Sequence, residues 1–91
     1  MNYVLSQEAE DDLIRIYCFG YFKFGELQAD MYYDSLFACF ERIAKNPDQF
    51  PSADRIRLGY RFCVCGSDTI YFREGKPDEI EIIRIIGRQD F

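Results

Sequence analysis

The sequence predicts an α+β layer fold: an N-terminal strand, an antiparallel helical hairpin, and then a three- to four-stranded, mainly antiparallel sheet, in one domain over residues 1–91. Three observations lead there. Apolar residues recur at helical spacing through the first half of the chain, the period drops to two after residue 55, and Ser6, Gly25 and Pro47 stand where such elements start or stop. Ninety-one residues suit a single hydrophobic core. Fixing them costs on the order of 140 kcal/mol at roughly 1.5 kcal/mol each, so nearly every long apolar run has to be buried. A composition 48% hydrophobic and 30% charged is too apolar for a disordered tail and too balanced for a fibre.

Taken in order, Tyr3, Val4 and Leu5 form a short opening strand, which Ser6 ends by offering its hydroxyl as the cap of a helix starting near Gln7. Glu8, Glu10, Asp11 and Asp12 place negative charge at the positive end of that helix. Ala9, Leu13, Ile16 and Tyr17 make one stripe, with Ile14 and Phe24 as flanking contacts, and Gly25 closes the helix in a left-handed conformation. A second helix over residues 26–44 carries the most regular apolar set, Ala29, Tyr33, Leu36, Phe37, Phe40, Ile43 and Ala44, and stops at Asn46 and Pro47 because proline cannot continue the ladder. Residues 48–54 are a loop, and Arg57 and Leu58 fall in a short strand broken at Gly59. In the next strand Tyr60, Phe62 and Val64 oppose Arg61, Cys63 and Cys65, and a tight turn at Gly66 leads to a strand in which Thr69, Tyr71 and Arg73 oppose Ile70 and Phe72. The last strand, residues 79–86, is isoleucine-rich apart from Glu81 and Arg84 and suits a central position, after which residues 87–91 turn away. The hairpin covers one sheet face, which leaves the other, partly polar face as the place to look for function.

Charge and composition exclude several functions. The net charge is -5, with four basic and ten acidic side chains up to Asp54 (-6) and seven basic and six acidic ones from Arg55 on (+1). An acidic total opposes coating of nucleic acid through backbone phosphates, so no sequence-specific DNA binding by this chain alone is expected. The absence of histidine removes catalytic triads, imidazole bases and histidine-containing zinc sites. The four cysteines allow three pairings, but their placement on helices and one strand favours reduced thiols, and a single Cys-x-Cys is a poor metal signal, so no metal and no cofactor are expected. Glu10, Asp11 and Asp12 are explained by helix-start electrostatics rather than by a magnesium site, because successive helix positions diverge around the axis. Apolar stretches are far shorter than the roughly 18–20 residues of a membrane span and the start lacks a signal core, so the chain reads as cytoplasmic with no membrane partner.

Several groups of residues resemble the ParE branch of the ParE/RelE toxin superfamily. They are Leu5 and Ser6 with Ala9, Asp12 and Leu13; Ala44 to Pro47 in sequence; Ile56 and Arg57 followed by Gly59, Tyr60 and Arg61; and Gly66, Ile70 to Arg73, Ile83 to Ile86, Gly87 and Arg88. The resemblance spans essentially the whole chain. It implies a type II toxin neutralised by a cognate antitoxin, with DNA gyrase as the target in the ParE branch and ribosome-dependent mRNA cleavage in the RelE branch. A non-toxic antitoxin-binding protein and a higher-order toxin–antitoxin oligomer are compatible with it.

The candidate target- or antitoxin-binding residues are Arg57, Tyr60, Arg61, Arg73, Arg84 and Arg88, with Ser6, Pro47, Gly59 and Gly66 in structural roles. By the resemblance, Arg61 and Arg84 match arginine positions of the RelE-type ribonuclease site. Guanidinium groups stabilise charge but are poor proton carriers at neutral pH, and Phe91 offers no hydroxyl where a ribonuclease relative presents tyrosine, so catalytic residues are not expected. Arg61 and Arg84 have a second reading as internal partners of Glu79, Glu81 or Asp90, since Arg84 interrupts an apolar strand and must find a carboxylate or water. Tyr60 and Tyr71 are read as packing aromatics. Tyr21, Phe22, Tyr32 and Phe50 exceed what one small core holds and are candidates for an antitoxin-docking patch.

Overall fold

A computed structural model describes residues 1–87, so the expected turn at residues 88–91, with the candidate Arg88, lies outside the described residues. The order is β1 (Asn2–Leu5), α1 (Gln7–Phe24), α2 (Glu26–Lys45), a 3-10 turn at Pro47–Gln49, β2 (Arg61–Cys65), β3 (Asp68–Glu74) and β4 (Glu79–Gly87). The four strands form one sheet in the order β1-β4-β3-β2. The β2–β3 and β3–β4 pairs are antiparallel, whereas β1 joins β4 in parallel through the helical crossover. β4 is therefore central, as its run of isoleucines suggests.

Both helices lie on one face of the sheet. Ala9, Leu13 and Ile16 of α1 and Leu36, Phe40 and Ile43 of α2 close over Cys63, Ile70, Phe72, Ile80, Ile82 and Ile85. Fully burying an aliphatic or aromatic side chain contributes about 1.5–3 kcal/mol, and this layer supplies most of the driving force. Tyr17 is half-buried, and Ile14 and Phe24, expected as flanking contacts, face outward because the hairpin closes on a narrower stripe than the sequence suggests. Gly25 alone joins the helices: its N–H donates to the Tyr21 carbonyl and its own carbonyl accepts from Ala29. Its φ of 95° lies in the positive region that favours glycine, as expected, but its ψ of 169° departs from a left-handed helical cap, because the same residue must end one helix and cap the next.

Arg57 and Leu58 lie in turns rather than a strand. The Asp54 carboxylate accepts the Gly59 N–H at 2.8 Å, with Gly59 at φ 88°, and the Ile56 and Arg57 N–H groups return to the Ala53 carbonyl. These local bonds use the backbone groups a ladder would need. Pro47 opens the 3-10 turn.

Candidate interaction surface

Among the described residues, β4 has no strand on its β1 side past Ile82, because the β1 register ends at the Leu5–Ile82 pair. Side chains at the start of α1 take over. Ser6 accepts the Ala9 N–H at 3.0 Å as the helix cap and donates its own hydroxyl to the Ile83 carbonyl at 2.7 Å. Asp12, buried on the same helix, accepts the Ile85 N–H at 2.8 Å, and Arg15 donates to the Ile85 carbonyl at 3.1 Å. The register with β3 slips here, Tyr71 facing Arg84 but Phe72 facing Ile82, so Ile83 is the extra residue of a β-bulge.

Arg84 lies at this bulge. Its Nε donates to Asp12 Oδ2 at 2.8 Å and its Nη2 to Oδ1 at 3.1 Å, a two-point carboxylate contact, with Arg15 3.5 Å from the same carboxylate. Burial pushes the Asp12 carboxyl up, but the Arg84 hydrogen bond, the Ile85 N–H and the two guanidinium charges outweigh it and hold the pKa below the usual value. Among the described residues a carboxylate that holds Arg84 is thus Asp12, a residue the sequence assigns to helix-start charge, rather than Glu79 or Glu81, while Asp90 lies outside the described residues. Two sequence signals separate Asp12 from Glu10 and Asp11: its place in the apolar stripe, three residues after Ala9 and four before Ile16, and its presence among the residues that carry the family resemblance.

The remaining arginines are spread out. Arg61 is on the helix-covered face of edge strand β2, where it donates to the Phe50 carbonyl at 2.7 Å and stands 4.0 Å from Asp48. Arg73 of β3 pairs across the ladder with Glu81 of β4 at 2.9 Å and stays half-exposed. Arg57 is exposed on the loop between Asp54 and Gly59, and Tyr60 is half-buried just before β2. Arg61 and Arg84 are therefore engaged by different elements, the first by residues 48–50 beside β2 and the second by α1 beside β4, with β3 between the two strands.

Gly66 combines two requirements. It takes φ 60°, and a Cβ there would stand 2.6 Å from the Tyr32 ring. That ring is held by its hydroxyl, which donates to Asp68 Oδ2 at 2.6 Å and accepts the Ser67 N–H at 3.1 Å. Burial, followed by the Asp68 carboxylate, raises the Tyr32 pKa, so the phenol stays protonated. Tyr32 and Phe50, expected in an exposed patch, pack on the core instead, while Tyr21 and Phe22 remain outside.

Exposed apolar side chains cluster at the tip of the helical hairpin, with others at Ile56 and Leu58 on the loop before β2 and at Val64 on β2. Phe22 is 86% exposed and Leu27 75%, with Phe24 and Met31 also more than half exposed. Clefts of about 820 and 750 Å³ run along the hairpin: the first passes Phe19, Phe24 and Tyr32 toward Asp68, the second passes Leu5, Ile14 and Phe37. Patches of this kind mark interaction sites more often than chance. Among the described residues, no group of three histidine, cysteine or acidic side chains is arranged to hold a metal ion, and no helix is long and apolar enough to cross a membrane.

The fold is that of a solved structure described as the chromosomal ParDE TA system from P. aeruginosa, with a TM-score of 0.83 over 96% of this chain and 95% of that one at 20% identity. Sequence comparison goes further. The chain is 36% identical to Toxin ParE1 of Caulobacter vibrioides over 92% of its length and 85% of that protein. It is 33% identical to Toxin ParE1 of Mycobacterium tuberculosis over 97% of its length and 90% of that protein. Residues 3–90 match the family described as the ParE toxin of the type II toxin-antitoxin system, parDE. The chain belongs to this family and is a ParE-type toxin of a toxin–antitoxin system.

Proposed function

We propose that the protein inhibits DNA gyrase by binding it, has no catalytic site of its own, and is neutralised by a cognate antitoxin that covers the apolar tip and flank of the helical hairpin. The observation that carries the reading is the separate engagement of Arg61 and Arg84. An RNA-cleaving site would need positive groups converging on one phosphate beside a proton carrier. Here one guanidinium is tied to the Phe50 carbonyl and the other to Asp12, in a chain without histidine. A gyrase poison needs only an adhesive surface, since the enzyme it binds supplies the DNA chemistry.

Arg57 and Arg73 are the exposed cations among the described candidates and are the positions at which an acidic antitoxin segment or gyrase would be met; Arg88 is assigned to the same role from its place in the sequence. Tyr60 borders the Arg57 loop and contributes its half-exposed ring. Toxin and antitoxin act in the cytoplasm on this reading, and their complex assembles into larger oligomers. With a net charge of -5 the toxin alone has no general attraction to DNA.

The test places purified protein in a gyrase supercoiling and DNA-cleavage assay beside a ribosomal mRNA-cleavage assay. Loss of supercoiling with trapped cleaved DNA is the expected result. Transcript cleavage with gyrase unaffected would replace the proposal by the RelE-type activity, and inertness in both assays alongside tight antitoxin binding would make the chain a non-toxic partner.

A further inference from the structure

Three of the four cysteines meet in the core where α2 crosses the sheet. Cys39 comes from α2, and Cys63 and Cys65 come from edge strand β2; all three are buried, whereas Cys18 is exposed on α1. The Cys39 and Cys65 sulfurs are in direct contact at 2.7 Å as free thiols. Cys65 also approaches the Ser35 carbonyl at 3.7 Å. Arg42, one turn along α2 from Cys39, directs its Nη2 at Cys63 Sγ (3.5 Å) and Cys39 Sγ (3.9 Å). Cys39 thus touches the Cys65 sulfur on one side and shares the Arg42 guanidinium with Cys63 on the other.

We propose that Cys39 and Cys65 are a redox-responsive dithiol, which hydrogen peroxide converts into a disulfide stapling α2 to the edge strand β2. The thiolate of one member attacks a peroxide oxygen, the O–O bond breaks, and the departing hydroxide takes up a proton to become water, leaving a sulfenic acid. The sulfur of the other member attacks the sulfenic sulfur, the S–O bond breaks, and the second hydroxide leaves as water with the remaining thiol proton. Two thiols are oxidised and one peroxide is reduced to two waters. Arg42 favours the anionic form of the sulfurs beneath it.

The resting pair is protected. Burial, and then the neighbouring Cys65, push the Cys39 thiol up to about 11, so the thiolate is scarce at neutral pH and the pair answers sustained rather than brief oxidation. β2 pairs along its length with β3 and is bridged on its outer side at Arg61 by Ser52, and the new bond ties the Cys65 end of this edge strand to the helix above it. The bond also closes a loop across the chain and so constrains the unfolded state.

The experiment uses the full chain with Cys18→Ser, which removes the exposed thiol and with it intermolecular coupling. After incubation with hydrogen peroxide, intact mass should fall by two hydrogens, alkylation in denaturant should count one thiol in place of three, and a proteolytic map should join the peptides of Cys39 and Cys65. Dithiothreitol should reverse all three changes, and the oxidised form should melt at a higher temperature than the reduced one. Cys63→Ser should leave the crosslink intact. Three alkylable thiols after an exposure that oxidises the methionines would overturn the proposal, as would a crosslink running through Cys63. The peptide map is decisive without any substitution at Cys39 or Cys65, so a folding defect in such variants does not affect the outcome.

Discussion

Asp12 shows how much one side chain can carry. Its carboxylate receives a strand N–H and a two-point guanidinium contact while almost fully buried. Breaking a fully buried pair costs about 3–5 kcal/mol, but the Arg84 side chain is 43% exposed and water recovers part of the loss. Asp12→Asn should therefore lower stability by about 2–3 kcal/mol, measured by urea unfolding. The pH dependence follows from the depressed pKa. Asp12 binds a proton more readily in the unfolded chain, so its contribution is fully present above the ordinary carboxylate value and is lost as pH falls through the lower folded value. The stability gap between wild type and Asp12→Asn should be constant from pH 7 to about 5 and close below about pH 4; a gap that persists at low pH would place the effect in packing. Gly66→Ala combines a left-handed backbone with displacement of the Tyr32 ring and should cost about 2–3 kcal/mol in the same assay. The need for glycine at position 66 is legible as a turn between two strands. The role of Asp12 is not, because Arg84 and Ile85 lie more than 70 residues away in the chain and its place in the apolar stripe says only that it faces inward.

At the scale of elements, the start of α1 behaves as a surrogate strand. β1 pairs with β4 only as far as Leu5, and Ser6, Asp12 and Arg15 then bond the exposed edge of β4 across the bulge at Ile83. This couples helix initiation to sheet completion. Loss of a Ser cap alone typically costs about 1 kcal/mol, and Ser6→Ala also leaves the Ile83 carbonyl without its donor. A total near 2 kcal/mol is expected by chemical denaturation, with faster hydrogen exchange at both the first turn of α1 and residues 83–85. Protection lost in the helix alone would mean that the two elements are not coupled. The helices, the turn at Gly66 and the alternation of β3 were all readable from period and punctuation. The bulge was not, since the run from Ile82 to Ile86 has no alternation to show where a residue is inserted. Arg57 and Leu58, expected in a short strand, lie in turns because Asp54 closes them through a side chain.

For the whole molecule, the arrangement divides stability from recognition. The sheet and the facing stripes of the helices hold the fold, while the hairpin tip places Phe22 and Leu27 in solvent. Phe22→Asp and Leu27→Asp should each change unfolding free energy by no more than about 0.5 kcal/mol, as surface substitutions do. Each should weaken binding of the cognate antitoxin by roughly 2 kcal/mol or more, about thirtyfold in Kd by titration calorimetry. Unchanged affinity in both variants would move the antitoxin to the open face of the sheet. Arg57→Glu should slow association with the antitoxin and reduce its dependence on salt without altering stability, since Arg57 is exposed and enters the loop's hydrogen bonds through its backbone N–H and carbonyl.

The order of elements, the helix boundaries, the central place of the last strand and the family are properties of the sequence by itself, because periodicity, capping chemistry and turn residues act over a few positions at a time. That Asp12 answers Arg84, that Arg61 turns to the Phe50 carbonyl, where the central strand bulges, and which of the buried apolar side chains meet across the layer were decided only by tertiary structure. Those contacts join residues far apart in the chain. Their energies depend on burial and direction, which exist only once the helices have closed over the sheet.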